Sequence, residues 1–501
     1  MIVNRRSLYS AVVRATRSEL AWLEQRLTYS QGNGRTATHV CHLKTADNGT
    51  RFFPSGFIRS LLRDAATAGM SFQVDDKRTS PGAVAPIARV LKKRRPWFYQ
   101  YECATTMLRA GNGAVKLPTG SGKTLVVVLA INAMRGMRVL YCVSDAVLAS
   151  KTAETIEEET GIKVARKLGG GDVVSTTLQR IYSAMVRDPV GTRALLKQFD
   201  AFFVDEGHQV PAATYAAVCE AVPAYYRFVL SAAPFERSDG NVALILGLFG
   251  GLIYEKTDGE LADPAKVHED DRARVPAGEA YLPKTIIRMV RHQQAAFFLG
   301  TWPEAYRLQI VKSATRNHVV VNMALAAAKP VLVLYSDVKY GHGVEIANRL
   351  RRAGLRVTFV DSKLSEQARK KVIDDANAKR IDAVVASRVF NVGIDIPELA
   401  AVVNAAGDKA AQRTIQRGGR VKRKTRTKKV GEVWDVYDWT FGKKRAKGIW
   451  VAKHARARVM TYRKQGHEVW IGETVDGPWT VLPPMLPSKR KASKAKEQAK
   501  V

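Results

Sequence analysis

The sequence predicts an α/β protein with two tandem parallel-sheet domains, a small N-terminal α+β module and a basic C-terminal extension. The main observation is that two series of short β-branched runs each alternate with helical patterns, one from about residue 113 and one from about residue 284. Such alternation is typical of a parallel sheet that helices cover on both faces. The length of 501 residues leaves room for about three domains.

The individual elements follow in chain order. In the first series the predicted strands are residues 113–117, 139–143, 172–177, 201–205 and 227–232. In the second they are 284–290, 331–335, 356–360, 383–386, 401–404 and 432–437. We place the N-terminal module at 1–88, the two sheet domains at 89–275 and 276–445, and the extension at 446–501.

Four segments outside these series also have recognisable patterns. The N-terminal module has an apolar helical face at 55–68, followed by a strand-like run at 71–74. Residues 258–277 are rich in Asp, Glu, Gly and Pro, which predicts a linker or exposed excursion. The extension begins with a basic helical pattern at 449–462 and a short strand at 467–472, and its Lys/Ala/Ser tail at 488–501 is predicted to be disordered.

Charge indicates the class of partner. Lys and Arg number 80 against 46 Asp and Glu, a formal net charge of +34, which favours a polyanion such as nucleic acid and leaves a generally basic surface as the alternative. The four cysteines form no CxxC pair, so neither a disulfide framework nor a zinc site is expected. The longest apolar stretch, 242–254, is too short to span a bilayer, and no signal peptide is evident, so we expect a cytoplasmic protein without a membrane partner.

A glycine-rich loop, LPTGSGKT at Leu117–Thr124, follows the first predicted strand and precedes an apolar helical run. In this arrangement the backbone N–H groups and the helix N-terminus converge on phosphate oxygens. Lys123 is expected to bind the β- and γ-phosphates, and the Thr124 hydroxyl to bind Mg²⁺. The remaining residues of the predicted phosphate site are Pro118, Thr119, Gly120, Ser121 and Gly122. The alternative is a glycine-rich turn without a ligand.

An acidic pair follows the apolar strand at 201–204, where the chain continues DEGH. In a phosphate-loop fold, a carboxylate at the end of a neighbouring strand holds Mg²⁺, and a second one orients or deprotonates the attacking water. We therefore expect Asp205 to bind the metal and Glu206 to act on the water. An exposed acidic turn is the alternative.

The second predicted domain carries an arginine pair within QRGGRVKR at residues 416–423. A spacing of three predicts that Arg420 and Arg423 lie on one side of a helix. Both guanidinium groups are then suited to stabilise the γ-phosphate as charge builds up in the transition state. A solvated basic helix, or one that only contacts nucleic acid, is the alternative.

The order of these features resembles superfamily-two helicases. Motifs I, II, III, V and VI of that family correspond to residues 117–124, 205–208, 231–233, 387–397 and 416–423. The resemblance covers residues 97–437. It implies two tandem RecA-like domains, ATP and Mg²⁺ as ligands in the cleft between them, and hydrolysis coupled to stepping along nucleic acid. Gln416 joins Arg420 and Arg423 as a catalytic residue of the second domain in this comparison.

The resemblance also assigns roles to residues outside the loop, the acidic pair and the arginine pair. Gln100 corresponds to the glutamine that reads adenine, while Gly393 and Asp395 line the nucleotide from the second domain. Residues that contact the nucleic-acid backbone are implied at Ser144, Thr176, Thr177 and Ser387, although the first three hydroxyls also suit strand-end caps. Ser231 and Ala233 correspond to the motif that couples hydrolysis to strand separation.

Two positions depart from the family pattern. Ala233 stands where the family commonly has threonine, which removes a hydroxyl thought to link hydrolysis to unwinding. Trp97 stands where an arginine often precedes the adenine-reading glutamine. We expect ATP hydrolysis to tolerate both departures. The missing hydroxyl at Ala233, in contrast, is expected to affect unwinding.

Within the superfamily the chain is similar to phage recombination helicases of the UvsW type, on the segments FPSGF at 53–57, LGGG at 168–171 and TRN at 315–317. This similarity implies branched DNA as the partner, namely junctions, forks and RNA–DNA hybrid loops in recombination or replication repair, in a bacterial or phage-infected cytoplasm. An RNA helicase or remodelling ATPase, the motor subunit of a restriction-type complex, and a binding module with a vestigial phosphate loop are the alternatives.

Overall fold

The computed structural model of the chain describes residues 1–31, 38–207, 210, 212–235, 242–294, 300–336, 340–360, 364–387, 396–423, 425, 428–440 and 450–485. The chain divides into two compact units, one of Met1–Leu117 with Gly122–Glu255 and the other of Pro118–Ser121 with Lys256–Val501. The N-terminal sheet thus belongs to the first unit. The domain boundaries given above stay predictions.

The N-terminal part of the first unit is an α+β module. Its strands are β1 (Ile2–Arg5), β2 (Tyr9–Arg14), β3 (Thr28–Gln31), β4 (Thr38–Cys41), β5 (Lys44–Thr45), β6 (Arg51–Pro54) and β7 (Gln73–Asp76), and its helices are α1 (Arg17–Leu27) and α2 (Ile58–Thr67). One sheet has the order β5-β6-β2-β1-β7, and β3 pairs with β4. The helix predicted at 55–68 is present as a 3₁₀ turn, Ser55–Phe57, followed by α2.

The rest of the first unit is a parallel sheet with helices between its strands. The elements are α3 (Phe98–Ala110), β8 (Asn112–Lys116), α4 (Lys123–Ala133), β9 (Val139–Val143), α5 (Ala146–Thr160), β10 (Val164–Ala165), β11 (Val173–Thr177), α6 (Leu178–Arg187), α7 (Pro189–Leu196), β12 (Ala201–Asp205), α8 (Ala213–Ala221), β13 (Tyr226–Ser231), α9 (Val242–Phe249) and β14 (Leu252–Glu255). The seven strands have the order β10-β11-β9-β12-β13-β8-β14. Every residue of β9, β11 and β13 is buried, as expected for central strands of a parallel sheet that helices cover on both faces.

The second unit is built around an eight-stranded sheet. Its elements are α10 (Asp258–Leu261), α11 (Glu269–Arg272), β15 (Lys284–Gln293), α12 (Trp302–Ala305), α13 (Ala314–Ala326), β16 (Val331–Leu334), α14 (His342–Arg352), β17 (Val357–Val360), α15 (Glu366–Asn377), β18 (Ala383–Ala386), β19 (Ala401–Asn404), α16 (Ala411–Gly418), β20 (Val430–Trp439), α17 (Trp450–Lys464), β21 (Val469–Gly472) and β22 (Trp479–Leu482). The strand order is β17-β18-β16-β19-β20-β15-β21-β22, and only β22 runs antiparallel to its neighbour among these strands. The two predicted parallel sheets and the N-terminal α+β module are therefore confirmed.

The sequence prediction was wrong about residues 258–277. Instead of an exposed excursion, this segment contains α10, a 3₁₀ turn at Pro264–Lys266 and α11. Thr257 forms a capping box with Glu260 at the start of α10, and Asp258 is 2% exposed. The polar composition therefore reflects helix caps and a buried ion pair, because capping residues and paired carboxylates are the same residue types that are common in loops.

The C-terminal extension is partly an addition to the second sheet, because β21 pairs with β15 and β22 pairs with β21. The tail at 488–501 lies outside the described residues. Across the described part of the chain, no helix has the length and apolarity to cross a membrane. The four cysteines are free thiols.

Candidate functional site

The glycine-rich loop connects the end of β8 to the start of α4. Gly120 and Gly122 have φ angles of +86° and +77°, a region that residues with a Cβ rarely occupy, and Gly122 is the N-cap of α4. The Ser121 hydroxyl donates to the Pro118 carbonyl at 2.7 Å. The Lys123 ammonium donates to the Leu117 carbonyl at 3.4 Å, so its charge lies across the base of the loop. The first turn of α4 thus follows directly on the loop, as anion binding at a helix N-terminus requires.

Gln100 lies against this loop. Its side chain is 3% exposed, and its Oε1 accepts a hydrogen bond from the Trp97 amide at 2.9 Å. A Cβ built on Gly122 would stand 2.5 Å from Gln100 Nε2, so the glutamine amide and the loop backbone approach each other closely. The structure therefore brings the predicted adenine-reading residue next to the predicted phosphate loop, within the first unit.

The acidic pair stands at the carboxyl end of β12. Glu206 has a φ angle of +52°, an uncommon value for a residue other than glycine, and its amide donates to Asp205 Oδ1 at 2.9 Å. Such backbone strain is often stored where a side chain must be aimed at a ligand. Because of this turn, the carboxylates of Asp205 and Glu206 do not have the relative orientation that an extended strand would give them.

Tyr141 is a buried residue near the acidic pair that sequence reasoning missed. It is fully buried on β9, opposite Phe203 in the register with β12. Burial raises the pKa of the Tyr141 phenol well above its usual range, the charge of Asp205 raises it further, and the Thr124 hydroxyl acts in the opposite direction. The two predicted Mg²⁺ ligands, Thr124 and Asp205, thus both influence the pKa of this one phenol.

The donor set suits Mg²⁺. Among the described residues, no group of three or more His, Cys, Asp and Glu side chains is arranged to hold a metal on its own. Magnesium ordinarily takes one or two protein oxygens and completes its shell with water and substrate phosphates. A threonine hydroxyl and one carboxylate beside a phosphate loop therefore fit this ion.

The other predicted residues of the first unit lie at strand ends. Ser231 ends β13, where its carbonyl accepts from the Leu117 amide at 3.2 Å and its hydroxyl accepts from the buried Ala233 at 3.1 Å. The Ser144 hydroxyl donates to Asp145, the N-cap of α5. Thr177 caps α6, as the alternative for this residue anticipated, and Thr176 beside it is 2% exposed. Their roles in binding nucleic acid stay predictions.

The predicted helix through the arginine pair is wrong in its extent. Helix α16 ends at Gly418, Arg420 lies in a 3₁₀ turn at Gly419–Val421, and Arg423 follows in non-helical, exposed chain. Two consecutive glycines explain the end of the helix, because glycine is among the weakest helix formers. Gln416 is half-buried on α16. Arg420 and Arg423 therefore follow each other around a tight turn.

Three further predicted residues lie beyond the described chain or at its edge. Gly393 and Asp395 lie outside the described residues. Ser387 is 1% exposed and is the last residue described before them.

Two family models match the chain on separate segments. Residues 87–236 match the model described as type III restriction enzyme, res subunit, and residues 315–425 match the helicase conserved C-terminal domain. The first segment contains the phosphate loop and the acidic pair, and the second contains the arginine pair. The chain is a superfamily-two helicase.

Sequence comparison supports this assignment at low identity. A putative helicase of Sulfolobus islandicus filamentous virus is 24% identical over 340 residues, which cover 65% of this helicase and 60% of the viral protein. The ATP-dependent DNA helicase uvsW of Enterobacteria phage T4 is 23% identical over 370 residues, 69% of each chain. This helicase thus spans less than two thirds of the archaeal virus protein.

Structural comparison supports the fold. The structure of the ATP-dependent type ISP restriction-modification enzyme LlaBIII bound to DNA aligns with 76% of this helicase and 30% of its own chain, with 14% identity and a TM-score of 0.51. This level of identity bears on the fold alone.

Proposed function

We propose that this helicase hydrolyses ATP to move along DNA. One observation carries the proposal: Gln100 lies against Gly122 of the glycine-rich loop, and the charge of Asp205 and the Thr124 hydroxyl both influence the pKa of the buried Tyr141 phenol. A loop that binds phosphate beside a metal-binding carboxylate and a second carboxylate is the arrangement that phosphoryl transfer to water requires.

Each residue has a role in the proposed reaction. The loop amides and Lys123 bind the phosphates of ATP, and Gln100 binds the adenine. Thr124 and Asp205 would hold Mg²⁺, which neutralises charge on the phosphates when bound. Glu206 orients the attacking water and accepts its proton. Gln416, Arg420 and Arg423 complete the set, the two arginines as the groups that stabilise charge on the γ-phosphate.

We assign DNA as the track and branched DNA as the preferred substrate. Support comes from the similarity to the phage T4 protein, which is named a DNA helicase, and from the net charge of +34. The residues proposed to hold the nucleic-acid backbone are Ser144, Thr176, Thr177 and Ser387, and the N-terminal module would widen the contact. Contacts to the nucleic-acid backbone carry no sequence information directly, so we expect little sequence preference.

The motor of a restriction-type complex is a second candidate, favoured by the match of residues 87–236 to the type III restriction model. For such a motor we expect movement along duplex DNA that leaves a junction intact. The Ala233 departure in the motif assigned to strand separation is compatible with this alternative.

The test is a steady-state ATPase assay with single-stranded DNA, duplex DNA, a four-way junction and RNA, together with gel analysis of the junction. We expect DNA to stimulate hydrolysis and ATP to drive dissociation of the junction. Lys123→Ala should lower turnover by about a hundredfold or more, because it removes a positive charge from the transferring phosphate. DNA affinity should change little, since the substituted side chain binds nucleotide.

Lys151→Ala is the matched control, because Lys151 is an exposed lysine on α5 of the same unit. Undiminished turnover in Lys123→Ala would refute the assignment of the ATP site. Stimulation by RNA alone would replace the DNA track with an RNA track. Stimulation by duplex DNA with an intact junction would favour the restriction motor.

A further inference from the structure

The turn that carries the arginine pair is attached to a buried carboxylate. Lys422, between Arg420 and Arg423, is 3% exposed, and its ammonium pairs with Asp258 Oδ1 of α10. His467, which follows α17, places Nε2 3.6 Å from the other carboxylate oxygen of Asp258. Three segments far apart in sequence therefore meet at Asp258 inside the second unit.

Lys422 and Asp258 carry the two opposite charges of this cluster. Burial acts to raise the pKa of Asp258, but the Lys422 charge and the His467 contact outweigh it, and the pKa stays well below its ordinary value. Burial lowers the pKa of His467 below its ordinary value, so the ring is neutral near pH 7. Lys422 is therefore the cation that compensates Asp258.

A second buried network holds the helix before the turn. Arg417 of α16 is 2% exposed and donates to Asp408 Oδ2 at 2.8 Å and to Asn404 Oδ1 at 3.0 Å. Arg458 of α17 is fully buried and donates to the main-chain carbonyl of Asp408 at 3.1 Å and to Asp435 Oδ2 at 2.8 Å. Helix α17 is thus connected through Asp408 to the helix that leads into the arginine turn.

We propose that Asp258 and the C-terminal segment 450–472 are positioning elements for Arg420 and Arg423. Buried pairs at Arg417 and Lys422 hold the chain on both sides of Arg420, where the glycines at 418 and 419 give little stiffness of their own. The matched helicase model ends at residue 425, so segment 450–472 lies beyond it. The inference rests on the proposed function, because it assigns the pairs a task in ATP hydrolysis.

The consequence is catalytic as well as structural. An arginine that stabilises a transition state must be held within a fraction of an ångström, and a misplacement of about 1 Å lowers the rate by about a hundredfold. Loss of the Asp258 charge leaves Lys422 buried without its counter-charge, so the turn must move to hydrate the ammonium. The turn also packs on the glycine-rich loop, because a Cβ built on Gly419 would stand 2.4 Å from the Thr119 Cβ and one on Gly120 would stand 3.5 Å from the Lys422 Cβ.

The test uses the full chain with Asp258→Asn, measured by DNA-stimulated ATPase. We expect kcat per folded chain to fall about tenfold or more, because the arginine pair is displaced, while the KM for ATP changes by a smaller factor and the DNA affinity stays within about twofold. Asp258→Glu, which keeps the charge, should restore part of kcat.

Asp438→Asn is the matched control. Asp438 is 1% exposed, lies in the same unit and pairs with Arg316 at 3.1 Å and with His292 at 3.2 Å. This variant should lose thermal stability to a comparable extent and keep kcat per folded chain.

Arg458→Lys decides the question if Asp258→Asn does not fold, since it keeps the charge but loses the planar donor fork that reaches Asp408. It should show the same fall in kcat, with a smaller change in the KM for ATP. Wild-type kcat in the folded variants, or an equal fall in Asp438→Asn, would overturn the inference. If the wild-type protein shows no DNA-stimulated ATPase, the proposed function and the inference both fail. If the wild-type protein is active and the variants turn over ATP normally, only the inference fails.

Discussion

At the scale of single residues, Gly122 is constrained by two independent requirements. Its φ of +77° lies in the left-handed region, and a Cβ on this residue would collide with the amide of Gln100. The first requirement comes from the turn into α4, and the second from the close approach of a residue that the family resemblance assigns to adenine. A substitution here therefore tests the contact between the loop and Gln100 as well as the loop itself.

We expect Gly122→Ala to abolish ATP binding and to lower the free energy of unfolding by about 1–3 kcal/mol, the cost of a left-handed backbone for a residue with a Cβ. Gly136→Ala is the matched control, because Gly136 has a φ of +86° and no atom within 4 Å of an added Cβ. The control should lose a similar amount of stability and keep its affinity. Fluorescent-nucleotide titration and thermal unfolding of both variants measure the difference, and equal nucleotide affinity in the two would contradict the contact.

Sequence reasoning reached the residues whose chemistry is local to a motif and missed those whose role depends on distant partners. Lys123 and Asp205 could be predicted because a loop or a strand end identifies them in a short window. Tyr141 and Arg417 could not, since nothing within a few residues of either shows that it faces Asp205 or Asp408. Arginine is almost never fully buried unless it is paired, and a pair formed across the fold leaves no periodic signal.

At the scale of elements, packing decided two boundaries that composition did not. The segment 258–277 has the composition of a linker, yet Asp258 and Leu261 are both 2% exposed. The spacing of three between Arg420 and Arg423 favours a helix through both residues, yet α16 ends at Gly418. Strands were predicted more accurately, because β9, β12, β18 and β19 are buried apolar runs with the bounds that their sequence pattern indicates.

The N-terminal module is packed against helix α9 of the first unit. Phe53, Phe57 and Leu61 share a hydrophobic cluster with Ala243, and Leu246 packs on it. A Cβ on Gly56 would overlap the backbone carbonyl oxygens of Leu246 and Gly247. The close approach of the 3₁₀ turn to the α9 backbone therefore requires glycine at position 56.

We expect Gly56→Ala to lower the free energy of unfolding by about 1–3 kcal/mol, because the added methyl group forces two backbones apart. Gly251→Ala, two residues past the end of α9, has open space around an added Cβ and serves as the control with little expected change. Urea unfolding followed by fluorescence measures both. Equal midpoints for the two variants would show that the module is not held through this contact.

At the scale of the whole molecule, the three largest buried arginines of the second unit do not account for the basic character. Arg316, Arg417 and Arg458 are each within 2% of full burial and each pairs with an aspartate, so these pairs contribute no net charge. The formal excess of +34 therefore belongs to the rest of the chain. A polyanion that binds a basic surface releases its condensed counterions, which makes its affinity depend on salt.

We expect the affinity for DNA to fall by about a hundredfold or more between 50 and 200 mM salt, the loss produced by about four or more phosphate contacts. The fall should be similar for DNAs of unrelated sequence, because phosphate contacts carry no sequence information. Fluorescence anisotropy over a salt series measures the slope, and thermal unfolding over the same series serves as the control, since a constant midpoint separates weaker binding from loss of structure. A fall of less than about threefold would imply about one phosphate contact, and the basic excess would then have another role than holding the proposed DNA track.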